Sequence, residues 1–109
     1  MPPIRHVIFH APGPAWDPAI APLEQPGLGA HVQHWAAWLA QGKLALGGPF
    51  ADLRSGGMMV CADGVERDDA LAHAEADPAV RDGLLTFELR PWACALKPLT
   101  TTENDGERR

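Results

Sequence analysis

The apolar positions change their period along the chain, and each change marks an element. From Ile4 to His10, the residues Ile4, His6 and Ile8 alternate with Arg5, Val7 and Phe9. Apolar groups fall on both sides of that run, which predicts a largely buried strand. From about Ala30 to Gln41 the period becomes helical. Val32, Trp35, Ala36 and Leu39 recur at steps of three and four and form a stripe expected to face the core. His31 and Trp38 flank this stripe, and His34 lies further round. Gly42 stands where a left-handed cap would end the helix. Leu44 to Leu53 and Met58 to Ala62 read as two strands of a hairpin turned by Ser55, Gly56 and Gly57. Gly47, Gly48 and Pro49 within the first of them indicate a bulge or a close backbone approach. Ala70, Leu71 and Ala74 give a narrow apolar face to a second helix over Arg67 to Ala76. That helix ends at Asp77-Pro78, because a residue before proline is pushed out of the α region. Ala79 to Gly83 reads as one more short helical turn. Leu84 to Lys97 is the last strand region, with Leu85, Phe87 and Leu89 alternating with Thr86, Glu88 and Arg90, and with a bend expected at Pro91-Trp92.

The order strand, helix, strand, strand, helix, strand is the split βαβ arrangement. It predicts an α+β, ferredoxin-like βαββαβ fold, a four-stranded antiparallel sheet with two helices on one face. The other face of such a sheet would be apolar and open, and a second copy of the chain is the expected cover.

Between the first strand and the first helix lies a stretch of about residues 11–29, dense in proline and glycine. Pro12, Pro14, Pro18, Pro22 and Pro26 prevent regular structure from persisting there. It also holds Trp16, which predicts that the loop folds back onto the domain. The polar residues 100–109 are expected to be a disordered tail, leaving one domain over residues 1–99.

Composition narrows the function classes. The chain has 109 residues and a net charge of −5. It has no basic stripe, so nucleic acid is not an expected partner. No segment has the ~18 apolar residues needed to span a bilayer, and no secretory leader is visible. Cys61 and Cys94 sit far apart in apolar stretches and read as buried, reduced thiols. A cytoplasmic location follows from these expectations.

The candidate chemistry rests on histidine. A histidine side chain ordinarily titrates near neutrality and can take and return a proton, and His31 is the candidate for that role. A carboxylate on its other nitrogen would fix the tautomer and stabilise the imidazolium. Spacing alone does not bring a particular carboxylate to it: His31 opens the first helix and Asp77 closes the second, and each suits a plain capping role. The only serine, Ser55, sits in a turn, which disfavours acyl transfer through a covalent intermediate. His31 and His34 form an H-x-x-H step that could seat a metal with Asp77 or His10, although such steps are common by chance. His6 reads as a core or interface residue and His73 as a solvated one. Arg81 and Arg90 read as surface groups.

Further residues carry a resemblance. His31 is followed by Gly42-Lys43-Leu44, Gly48-Pro49 and Gly56-Gly57. Glu75-Ala76-Asp77-Pro78-Ala79-Val80, Gly83-Leu84-Leu85 and Pro91-Trp92 follow in order. This set resembles the YciI-like (YCII-related) family over about residues 4–97, and His10 to Trp16 resembles a Pro-Gly-Pro-x-Trp stretch of one of its subsets. The second helix departs from the family in having Glu66 where a capping Ser or Thr is usual. The resemblance implies a dimeric α+β barrel and a pocket with a His–Asp pair, here His31 and Asp77, as candidate catalytic residues. The implied chemistry is cofactor-independent proton transfer of a lyase, isomerase or dehydrochlorinase-like kind, with a non-catalytic binding module as the alternative. His10, Trp16, His34 and Trp38 are the expected substrate-binding residues. No cofactor or metal is called for, and the expected partners are a small molecule and a second copy of the chain.

Overall fold

A computed structural model of the chain describes residues 2–52, 55–96 and 98. Strand β1 spans Ile4–Pro12, helix α1 Leu28–Ala40, β2 Leu44–Pro49 and β3 Gly57–Cys61. Helix α2 spans Arg67–Glu75, the short helix α3 Pro78–Arg81, and β4 Leu85–Ala93. The strands form one antiparallel sheet in the order β2-β3-β1-β4, the ferredoxin-like arrangement. Ile8, Met59, Cys61 and Leu44 on one sheet face pack against Trp35 and Trp38 of α1 and Ala70 and Ala74 of α2, and this is the main core. No helix among the described residues is long and apolar enough to cross a membrane. The expected tail, residues 100–109, lies outside the described residues.

Several local choices follow from residue chemistry. Helix α1 ends in a Schellman pattern. Gly42, at φ +77°, donates its N–H to the Leu39 carbonyl, and Lys43 donates to that of Trp38. The hairpin glycines permit close approach, as a Cβ on Gly47 would lie 2.3 Å from Met59 Sδ. A register shift between Leu44 and Leu46 adds a bulge. Glu66 caps α2 without a side-chain hydrogen bond.

Four expectations are corrected. Strand β1 runs on to Pro12, so the proline-rich loop is shorter than 11–29. Beyond His10 the strand pairs with β4 alone, where a proline's missing N–H is tolerated. Pro91 does not bend β4 either. It pairs with His6 on an edge strand, and the ladder continues to Ala93. The inward face of α1 is His31, Trp35 and Trp38, so of the expected stripe only Trp35 is buried, while Val32 and Leu39 are 56% and 52% exposed. The aromatic volumes fill the core, and the smaller aliphatic groups turn to a cavity. Cys61 is buried and burial pushes its thiol up to about 11, whereas Cys94 is only half-buried.

The loop does fold back. Trp16 and Leu28 pack against a second cluster of Ala79, Leu84 and Leu85. Gln25, almost fully buried, holds the loop from within. Its Nε2 donates to the carbonyls of Asp17 and Ile20, and its Oε1 accepts from the Asp17 N–H.

Candidate functional site

The Asp-Pro step that ends α2 also builds the centre of the site. Pro78 takes the first position of α3, and Asp77 becomes its N-cap, with Oδ1 accepting from the Ala79 N–H at 2.9 Å. One carboxylate oxygen is committed to the turn, and the other faces α1. His31 and Trp35 lie one helical turn apart there and share a face. Both donate to Asp77 Oδ2, His31 from Nδ1 at 2.6 Å and Trp35 from Nε1 at 2.8 Å. Asp77 is fully buried. Burial alone would raise its pKa, but the bonds from His31 and Trp35 outweigh that and hold the carboxyl below its ordinary value. The acid is therefore an anion at neutral pH. With the His31 proton on Nδ1, Nε2 carries the basic lone pair.

His10 reaches the same place from β1. Its ring stands edge-on to His31 with centroids 4.8 Å apart. Its Nε2 lies 3.8 Å from Asp77 Oδ2, too far for a hydrogen bond, and has no other partner among the described residues. Burial, and then the neighbouring His31, push His10 down to about 4 against the pull of Asp77. His10 is thus a neutral imidazole at physiological pH.

His10 and His31 lie at the foot of a cavity of about 340 Å³. Trp16 and Leu23 come from the loop, Val32, Ala36 and Leu39 from α1, and Gly47 to Phe50 with Ser55 to Met58 from the hairpin. No Lys or Arg among the described residues lines it. The hairpin fits closely because Gly56, at φ +82°, has no Cβ, and one there would lie 2.6 Å from the His10 carbonyl oxygen.

The structure thus brings together His31, Asp77, His10 and Trp16 of the expected residues. His34 and Trp38 do not line the cavity. His34 Nε2 donates to the His73 carbonyl at 2.7 Å, and His73 Nε2 donates back to the His34 carbonyl at 3.2 Å. The His73 ring stacks on His34 at 3.8 Å and on Trp38 at 4.2 Å. His73 is therefore a half-buried clamp between α1 and α2, not the solvated residue its helix suggested. Burial, with His34 beside it, pushes it down to about 4. Among the described residues the H-x-x-H step gathers no ligand set, and the second imidazole near His31 is His10. Trp35 was expected only as core. Its role as a donor to Asp77 was signalled by its place four residues after His31. Arg81 and Arg90 are exposed and away from the cavity.

No family model and no curated protein matches the chain. Among solved structures it is similar to 5-chloro-2-hydroxyhydroquinone dehydrochlorinase (TftG) from Burkholderia phenoliruptrix AC1100, solved as a complex with 2,5-dihydroxybenzoquinone. The match has a TM-score of 0.48 and 20% identity, and it covers 81% of this chain and 92% of that one.

Proposed function

We propose that the chain is a cofactor-independent enzyme that moves a proton on a small organic molecule, in the manner of a lyase, isomerase or dehydrochlorinase. The observation that carries this reading is the 2.6 Å bond between buried Asp77 and His31 Nδ1 at the foot of an apolar cavity. His31 Nε2 takes the proton from the substrate. Asp77 stabilises the imidazolium and keeps the ring in register, and Nε2 then returns the proton to another atom or to water. Trp35 and the Ala79 N–H hold the carboxylate, so it is already in place before substrate arrives. Trp16 and His10 are assigned to contact the substrate. Ser55 lines the cavity, but no hydrogen bond joins it to either imidazole, so an activated serine is not part of the proposal.

The reading extends to assembly. The sheet face away from the helices carries Leu46, 64% exposed, and Trp92, 50% exposed, beside Val7 and Val60. We assign this face to a homodimer and place the chain in the YciI-like family on the motifs that resemble it. Two unpaired thiols fit the cytoplasm.

The test needs no known substrate. Small carbonyl and enol compounds are incubated with the protein in D2O, and deuterium wash-in at the acidic carbon is followed by NMR. The wild type should catalyse wash-in, and His31→Ala should lose it by about 100-fold or more while keeping its circular dichroism. Wash-in retained in His31→Ala would sink the proposal. Compounds that bind the wild type without wash-in or any covalent change would favour the binding module.

A further inference from the structure

The acid–base reading leaves one polar atom at the cavity floor idle. His10 Nε2 is buried, with its side chain 3% exposed, and it has no hydrogen-bond partner among the described residues. A buried nitrogen in that state calls for an explanation, and a missing ion is one of the standard ones. Its nearest acceptor cannot serve it. Asp77 Oδ2 has two in-plane lone pairs, and His31 and Trp35 already occupy both.

We propose that His10 Nε2, His31 Nδ1 and Asp77 Oδ2 form a binding site for a borderline divalent transition ion, with Zn2+ as the representative, and that the ion takes the place of the proton between His31 and Asp77. One ligand atom from each of His10, His31 and Asp77 lies within 4.8 Å of the other two. Metal bonds of about 2.0–2.1 Å would set tetrahedral ligand atoms roughly 3.3 Å apart. The His31–Asp77 contact then opens from 2.6 Å, the His10–Asp77 gap closes from 3.8 Å, and the two imidazoles adjust their separation from within the 4.8 Å span of the group. Two imidazoles and one carboxylate suit Zn2+, Co2+, Ni2+ or Fe2+, whereas Mg2+ and Ca2+ prefer oxygen. Each neutral ring keeps its proton on the nitrogen that does not ligate. Trp35 retains its bond to Oδ2 and orients the carboxylate from behind. The remaining position opens to the cavity, where water or a ligand oxygen can complete the shell. The site uses neither His34 nor a cysteine.

The ion and the proton compete for one nitrogen of His31, so bound Zn2+ should stop proton transfer. That consequence rests on the function proposed above, but binding does not. The chelator-treated full chain is titrated with Zn2+ by calorimetry and with Co2+ by visible absorption, and ring 15N spectra are taken with and without Zn2+. One ion per chain, four-coordinate Co2+ bands without a thiolate band, and coordination shifts at both His10 and His31 are expected. His10→Ala should weaken binding by at least about tenfold. No stoichiometric binding, a thiolate band, or an affinity unchanged in His10→Ala overturns the site. Should His10→Ala fail to fold, the wild-type spectrum decides, and a His10 Nε2 resonance that does not shift with Zn2+ overturns it equally. Deuterium wash-in separates the two proposals. Wash-in lost on adding Zn2+ and restored by chelator supports both. Wash-in that requires Zn2+ keeps the site and removes the metal-free reading.

Discussion

Two pairs of histidines meet the same helix and end in opposite conditions. His10 and His31 gather around a buried carboxylate and open onto a cavity. His34 and His73 donate to each other's backbone carbonyls, and the His73 ring is stacked between those of His34 and Trp38. The second pair spends one nitrogen of each ring on neutral acceptors, so it fastens α1 to α2 and offers the cavity nothing. The first pair faces a negative charge, so one ring has a polarised partner and the other is left without one. What separates a structural histidine from a chemical one here is the acceptor opposite it and the space beyond it. The residues are the same and only three positions apart on α1.

The largest effect should come from removing the acceptor. Asp77→Ala strands the donors of His31, Trp35 and Ala79 in a buried place, and it should cost about 3–5 kcal/mol in urea unfolding. It should also abolish wash-in. A cost below that of His73→Ala would break the contrast between a charged hub and a neutral clamp.

Acid should test both pairs next. His10 and His73 sit at about 4 in the fold against 6.5 as free groups. The unfolded chain therefore binds more protons between these values, so stability is complete above about pH 6.5 and falls as the pH drops towards 4. The lowered pKa of Asp77 acts in a lower window, where stability present above the ordinary carboxylate value is lost as pH falls further. His10 accounts for at most about 3 kcal/mol of the upper window. His10→Gln should flatten the profile between pH 4 and 6.5, read from urea midpoints. An unchanged slope would mean that His10 is not held neutral.

A smaller loss is expected at the clamp. His73→Ala removes the ring stack and the bond to the His34 carbonyl, but His34 keeps its bond to the backbone carbonyl of residue 73. The cost should be about 2 kcal/mol, with wash-in within a few fold of wild type. A hundredfold loss of wash-in would mean that the clamp positions the site and that the two regions are not separate.

The element order, the glycine cap after α1 and the split βαβ arrangement were all legible from spacing, because each depends on local chemistry. The inward face of α1 was not. Val32, Ala36 and Leu39 outrank His31 and Trp38 in hydropathy, but burial went to the side chains that fill the core or find Asp77. His73 was misread for a related reason. Its helix is mostly polar, and nothing in its own segment announces a partner 39 residues earlier. The pairing of His31 with Asp77 came through the family resemblance, since two helix ends 46 residues apart leave no mark on spacing. His10 could be singled out only as a strand-end residue, because the groups around its ring, His31, Trp35 and Asp77, all come from distant parts of the chain.

Trp35→Phe is the finest probe of the comparison, because it keeps the ring and deletes one N–H. The indole touches both regions, edge-on to His10 at 5.6 Å and to His73 at 4.7 Å, and it bonds only to Asp77. A phenyl ring fills most of the same space, so the packing of the clamp should survive. The carboxylate loses one of the bonds that hold its pKa down, so that pKa should move up. Thermal unfolding at neutral pH should show a loss of about 1 kcal/mol, and the acid limb should shift to higher pH. Wash-in should fall less than in Asp77→Ala, since His31 keeps its partner. If the acid limb stays in place while stability falls, the indole is a spacer between the two regions, and the carboxylate depends on His31 and the α3 turn alone.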